Sequence, residues 1–130
     1  MADKKVLVVD DEIHIVHVVT IKLRNNGYEV ISASNGAEAY ELACEHKPDI
    51  VVTDYQMPVM TGIELVEKLR ENDDTKDVPV ILLTARSFSV EDEQRQKLDI
   101  SLCLSKPFSP KELLRNIEDV LYQRTVSQGG

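Results

Sequence analysis

The sequence predicts a single α/β domain wound around a five-stranded parallel sheet. Five short apolar runs rich in β-branched residues recur along the chain. Each is followed by a segment with helical spacing, and Asn, Gly and Pro punctuate the junctions.

Val6-Leu7-Val8-Val9 is unbroken by polar residues and reads as a strand covered on both faces. From Glu12 to about Asn25, Val16, Val19, Thr20 and Leu23 fall at i, i+3, i+4 and i+7, and Asn26-Gly27 stops that helix. Tyr28 to Ala33 is the second strand. Asn35 then caps a helix that turns Ala39, Tyr40 and Ala43 inward and ends at Lys47-Pro48. Asp49 to Asp54 is the third strand, closed by a carboxylate. Met57-Pro58 makes a turn, and Thr61 with Glu64 fits a capping box opening a helix to about Glu71, with Gly62, Leu65, Val66 and Leu69 as its buried stripe.

Asn72 to Asp77 is a charged surface loop before the fourth strand, Val80-Ile81-Leu82-Leu83. Arg86 to Leu98 is a polar helix that Ser89 would cap, offering only Val90 and Leu98 for burial. The fifth strand, Ser101 to Ser105, leads to a helix with Ser109 at the N-cap, Pro110 in the first turn and Glu112 completing a capping box. Leu113, Leu114, Ile117, Val120 and Leu121 give that helix its core face, and Arg124 to Gly130 is expected to fray, leaving a core of about 5–123. For five such strands the expected order is 2-1-3-4-5, the flavodoxin-like arrangement.

The 130 residues suit one domain. A content of 42% hydrophobic and 29% charged residues is that of a soluble globular protein, with no apolar run near the roughly 20 residues a membrane span needs. A formal net charge of −8 without Lys/Arg clusters speaks against direct nucleic-acid binding. Cys44 and Cys103 lack metal-ligand spacing and read as small buried hydrophobes in a reducing, cytoplasmic setting. His14 and His17 lie off the apolar stripe of the first helix and are expected at the surface.

The chemistry gathers at strand ends. Strand one ends in Asp10-Asp11-Glu12, strand three in Asp54, strand four in Thr84-Ala85 and strand five in Lys106-Pro107. In a parallel sheet these ends share one edge, where open α/β sheets bind ligands, and the order 2-1-3-4-5 sets strands one and three side by side. Adjacent carboxylates repel and call for a hard cation; Mg²⁺, held by oxygen ligands, suits them, whereas zinc would want Cys or His. Lys106 and Thr84 then suit the oxygens of a transferring phosphoryl group, and Asp54 can be the nucleophile that carries it as an acyl phosphate. A salt bridge from Lys106 to the acidic cluster is the structural alternative, compatible with that role.

Val8-Val9-Asp10-Asp11-Glu12, Asp54 with Met57-Pro58 and Gly62, Leu83-Thr84-Ala85 and Lys106-Pro107-Phe108, in that order and at those intervals, closely resemble the receiver domain of two-component response regulators. The resemblance spans about Lys5 to Gln123. It implies that Asp54 is the phosphoacceptor, and that Asp10, Asp11 and Asp54 bind Mg²⁺ with the Gln56 backbone carbonyl. It further implies that Thr84 and Lys106 contact the phosphoryl group and that Lys106-Pro107 is a cis peptide. The donor would be a sensor histidine kinase, a histidine phosphotransfer protein or a small acyl phosphate. Output would pass to a downstream protein partner, from a monomer or a phosphorylation-dependent dimer. Such a stand-alone switch is no enzyme beyond its own phosphorylation and dephosphorylation.

Three positions depart from the family's pattern or bear on its chemistry. An aromatic residue commonly lies three positions before the lysine and swings inward on activation; Cys103 stands there in this chain, so a different packing change would carry the signal. Gln56 and Arg86 lie two residues beyond Asp54 and Thr84, where side chains influence the lifetime of the phosphoryl group, and Arg86 would either pair with that group or face solvent. Two other readings stand beside the receiver. One is an interaction module that does not use phosphorylation. The other, weaker, is a Mg²⁺-dependent phosphohydrolase with an Asp nucleophile, for which Asp10-Asp11-Glu12 is not the usual Asp-x-Asp spacing.

Overall fold

Parallel neighbours cannot be joined by a hairpin, and in this chain a helix makes each crossover. The computed structural model describes residues 4–57, 59–85 and 92–129. Strands β1 (Lys5–Val9), β2 (Glu29–Ala33), β3 (Ile50–Asp54), β4 (Val80–Thr84) and β5 (Leu102–Ser105) alternate with helices α1 (Ile13–Arg24), α2 (Gly36–His46), α3 (Gly62–Glu71), α4 (Asp92–Lys97) and α5 (Pro110–Gly129). The sheet order is β2-β1-β3-β4-β5, all parallel, as the sequence predicts.

Alternation along the central strands divides the core into two layers. Leu7, Val9, Val51, Val80 and Leu82 face the layer that holds Ala39 and Ala43 of α2 and Leu65, Val66 and Leu69 of α3. Val6, Val8, Ile50, Val52, Ile81 and Leu83 face Val19 and Leu23 of α1 and Leu113, Leu114, Ile117 and Val120 of α5. Strands β1, β3 and β4 are therefore buried on both faces except at Lys5, which explains their continuous apolar runs. At about 2 kcal/mol per fully buried aliphatic side chain, this double burial is the main force holding the site's scaffold.

Local chemistry sets most helix ends. Asn35 accepts the Glu38 N–H at 2.9 Å, and Thr61 and Glu64 form a complete capping box. Ser109 Oγ accepts the Glu112 N–H at 3.0 Å. Lys47, in left-handed conformation (φ 49°), closes α2.

Several expectations are corrected. Helix α5 stays helical through Gly129, past the expected end at residue 124, because no breaker precedes the terminal Gly pair. Val16 and Tyr40 pack against the core as expected but are only half-buried, as is Thr20, since α1 and α2 each cover the sheet with a narrow stripe. The loop 72–77 is charged outside but anchored inside by Thr75, which is buried and donates its hydroxyl to the Leu69 carbonyl at 2.7 Å. Both cysteines are half-buried rather than buried. Cys44 faces the Asn72 amide at 3.4 Å, and Cys103 lies in edge strand β5, covered incompletely.

Helix α4 buries none of its own residues; Leu98 and Ile100, just beyond it, seal the core instead. Arg70 of α3 ties this segment to the loop before β4, its guanidinium donating to the carbonyls of Leu98 (2.8 Å) and Asp99 (3.1 Å) and of Val78 (2.7 Å) and Lys76 (3.0 Å). Ser89 and Val90, expected to cap and bury this helix, lie outside the described residues.

Candidate functional site

Register brings the carboxyl ends of the strands level. Val9 pairs with both Ala33 and Thr53, Asp54 with Leu83, and Thr84 with Ser105, so the residues following each strand emerge together. Asp10 follows β1 with its carboxylate fully buried; one oxygen accepts the Glu12 N–H at 2.9 Å and the other accepts from the Lys106 ammonium at 3.1 Å. Asp54 ends β3 with its carboxylate 10% exposed and 3.4 Å from the same ammonium. Lys106 is fixed at its backbone, where its N–H donates to the Thr84 carbonyl at 2.8 Å, and the Lys106-Pro107 peptide is cis, as expected.

Carboxylate oxygens of Asp10, Asp11 and Asp54 lie within 4.8 Å of one another. The electrostatic consequence is plain. Burial, reinforced by the charge of Asp10 and opposed by Lys106, pushes the Asp54 carboxyl up to about 6 from its ordinary 3.8. Burial also raises Asp10, outweighing the Glu12 N–H and Lys106. For Lys106, burial pulls downward, but the hydrogen bond to Asp10 and the charges of Asp10, Asp54 and Glu12 prevail, so its pKa lies above that of an ordinary lysine. The ammonium stays charged, yet it leaves the carboxylates short of cation. Three oxygen donors with surplus negative charge, and no sulfur or imidazole among them, fit a hard divalent ion such as Mg²⁺.

A cleft of about 310 Å³ opens over these groups, lined by Asp11, Glu12, Asp54, Gln56, Ala85 and Lys106 among others. Gln56 is exposed at its rim, and Thr84 is buried at the end of β4, directly before the lining residue Ala85. Cys103 lies one layer away, paired with Leu82 and packed against the α2/α3 side of the core. Arg86 lies outside the described residues, as does Pro58.

Sequence reasoning missed two features of the site. Glu12, read only as part of an acidic run, is the third partner of the ammonium at 3.4 Å. Val59, in the β3–α3 loop that also carries Gln56, holds φ at 73° while 83% exposed, a conformation that nothing in a Val announces.

The family model for the response regulator receiver domain matches residues 6–118. The chain belongs to the response regulator receiver family. Among curated relatives, the phosphate regulon transcriptional regulatory protein PhoB of Pseudomonas aeruginosa is 37% identical over 123 residues, 93% of this chain and 53% of its own. The chain thus spans about half the length of that relative. Among solved receivers, the chemotaxis response regulator CheY4 of Vibrio cholerae superposes with a TM-score of 0.84 at 35% identity, covering 92% of this chain and 99% of its own. The receiver domain of the sensor histidine kinase PA1611 of Pseudomonas aeruginosa has a magnesium ion coordinated in its active-site cleft. It matches with a TM-score of 0.81 at 28% identity, over 92% of this chain and 98% of its own. This receiver therefore belongs to two-component signalling, in a family that typically binds Mg²⁺. Among the described residues no helix is long and apolar enough to cross a membrane.

Proposed function

We propose that this receiver is a phosphorylation switch in which Asp54 accepts a phosphoryl group from a phosphohistidine donor, and that Asp10, Asp11, Asp54 and the Gln56 carbonyl hold Mg²⁺. The observation that carries this reading is the convergence of Asp10 (3.1 Å) and Asp54 (3.4 Å) on the Lys106 ammonium at one sheet edge, facing an open cleft. A bound Mg²⁺ would supply the positive charge that the carboxylates lack and that a phosphoryl group in transfer needs.

The chain's own residues account for the remaining steps. An Asp54 carboxylate oxygen forms the new bond to phosphorus as the donor's P–N bond breaks, and the electron pair leaves with the imidazole nitrogen, which is protonated from solvent. Lys106, kept charged by Asp10, is placed to move from a carboxylate partner to a phosphoryl oxygen. Burial of Asp54 limits the water that would hydrolyse the acyl phosphate. Thr84, at the end of β4, is the candidate hydroxyl contact to the phosphoryl group.

A donor surface adjoins the site. An apolar groove of about 560 Å³ between α1 and the β5–α5 connection is lined by Ile15, Val18, Pro107, Phe108 and Pro110, and Glu12 and Lys106 belong to its wall. Ile13 and Val18 extend this apolar character along exposed α1. A helix of a kinase or phosphotransfer protein seated there would bring its phosphohistidine beside Asp54.

The test is intact-mass analysis after incubation with a small acyl phosphate, with Mg²⁺ or chelator, for wild type and Asp54→Ala. A single Mg²⁺-dependent adduct absent from Asp54→Ala is the expected result. No adduct from either the acyl phosphate or a phosphohistidine donor would overturn the reading and favour an interaction module that works without phosphorylation. Multiple turnover of a phosphomonoester would favour a hydrolase.

A further inference from the structure

A glycine outside the site packs against a residue of the β3–α3 connection. Gly36, the first residue of α2, is buried, and a Cβ placed on it would lie 2.8 Å from Cβ, 2.9 Å from Cγ and 3.0 Å from Sδ of Met60. Met60 belongs to the connection between Asp54 and the N-cap of α3, and its half-buried side chain packs against the α2/α3 core layer. The missing methyl of one residue is the seat of the other.

Both sides of this contact are braced. On the α2 side, Asn35 accepts the Glu38 N–H at 2.9 Å, and the Glu38 carboxylate accepts the Ser34 N–H at 2.9 Å. On the other, Thr61, the next residue after Met60, is held by its capping box with Glu64. The loop is drawn closed by the Gly62 N–H, which donates to the Tyr55 carbonyl at 2.7 Å. Within that closed segment lies Gln56. A new rotamer could carry Cγ and Sδ away from an added methyl, but Cβ moves only with the backbone. Anything larger than Gly at 36 must therefore displace the loop or the start of α2.

We infer that Gly36 and Met60 together are positioning residues for the metal site, fixing the β3–α3 connection at Met60 so that the Gln56 carbonyl stays in the register Mg²⁺ requires. This rests on the metal-site reading above. Mg²⁺ tolerates little departure from octahedral geometry, so a displaced backbone ligand weakens it directly. The sign runs against local propensity, because Gly→Ala at a helical position ordinarily stabilises.

Mg²⁺ binding by isothermal titration calorimetry, with NMR shifts of the Gln56 and Met57 amides, tests this in wild type, Gly36→Ala, Met60→Gly and the double variant. Thermal unfolding in chelator confirms that each is folded. Gly36→Ala should bind Mg²⁺ about tenfold more weakly, the scale of losing a group that orients a ligand. Met60→Gly, which empties the seat, should also weaken binding and move the same amide signals. The double variant should be no weaker than Met60→Gly, because the clash is gone. Should Gly36→Ala fail to fold, Met60→Gly decides alone, and wild-type affinity in it overturns the inference. Wild-type affinity in Gly36→Ala, or losses that multiply in the double variant, would also overturn it while leaving the metal site standing. A wild type that binds no Mg²⁺ would overturn both.

Discussion

Replacing Asp54 by Asn should make the metal-free protein more stable, because the site is built around a carboxylate that the empty fold disfavours. The folded Asp54 titrates at about 6 against an ordinary 3.8. At about 1.4 kcal/mol per pH unit, ionising it in the folded state costs on the order of 3 kcal/mol more than in the unfolded chain. That figure already contains the attraction of Lys106. Asn keeps the shape and removes the charge. The pH dependence follows from the raised value. Below about pH 4 both states hold the proton and the difference vanishes; between about 4 and 6 the unfolded chain ionises first and wild type loses stability as pH rises; above about 6 the full difference is present. Urea unfolding in chelator across this range should show Asp54→Asn more stable at pH 7.5 by about 3 kcal/mol, a midpoint shift on the order of 10 °C on heating. Mg²⁺ should close the gap from the wild-type side, by about 2.7 kcal/mol at 100 times its dissociation constant. An Asn variant no more stable than wild type at pH 7.5, or a gap that does not change with pH, would refute this electrostatic account.

Val59→Asn should raise stability by about 1 kcal/mol, since φ of 73° is costly for a β-branched residue and mild for Asn, and little burial is lost at 83% exposure. Chemical denaturation reads this directly. Arg70→Lys should lower stability by about 2 kcal/mol, because one ammonium cannot replace a fork that serves four carbonyls on two segments. Amide exchange should then rise first at 98–101, where that fork holds the entry to β5.

Much of the fold was legible because its signals are local. The apolar runs at 6–9 and 80–83, the helical stripe at 65, 66 and 69, and the caps Asn35, Thr61 and Ser109 each act over a few residues, and the structure bears them out. Helix α4 was poorly legible for the same reason. Its body buries nothing, and what orders its end is a guanidinium from α3 together with Leu98 and Ile100. The cysteines are half-buried because residue type alone does not set burial: Cys44 faces Asn72 from α2, and Cys103 lies on edge strand β5.

The candidate site divides along the same line. Sequence alone determined which chemical groups end the strands, since strand periodicity and the residues that break it are written along the chain; with the expected strand order it also set Asp10 near Asp54. Tertiary structure alone decided what those groups do to one another. The salt bridge that the sequence allowed between Lys106 and the acidic cluster is made to Asp10 across 96 positions, Glu12 joins the same ammonium, and Met60 of the β3–α3 loop occupies the space Gly36 leaves in α2. Such contacts depend on distances of a few ångströms between elements far apart in sequence. Packing of whole helices against the sheet sets those distances, and no local pattern encodes them.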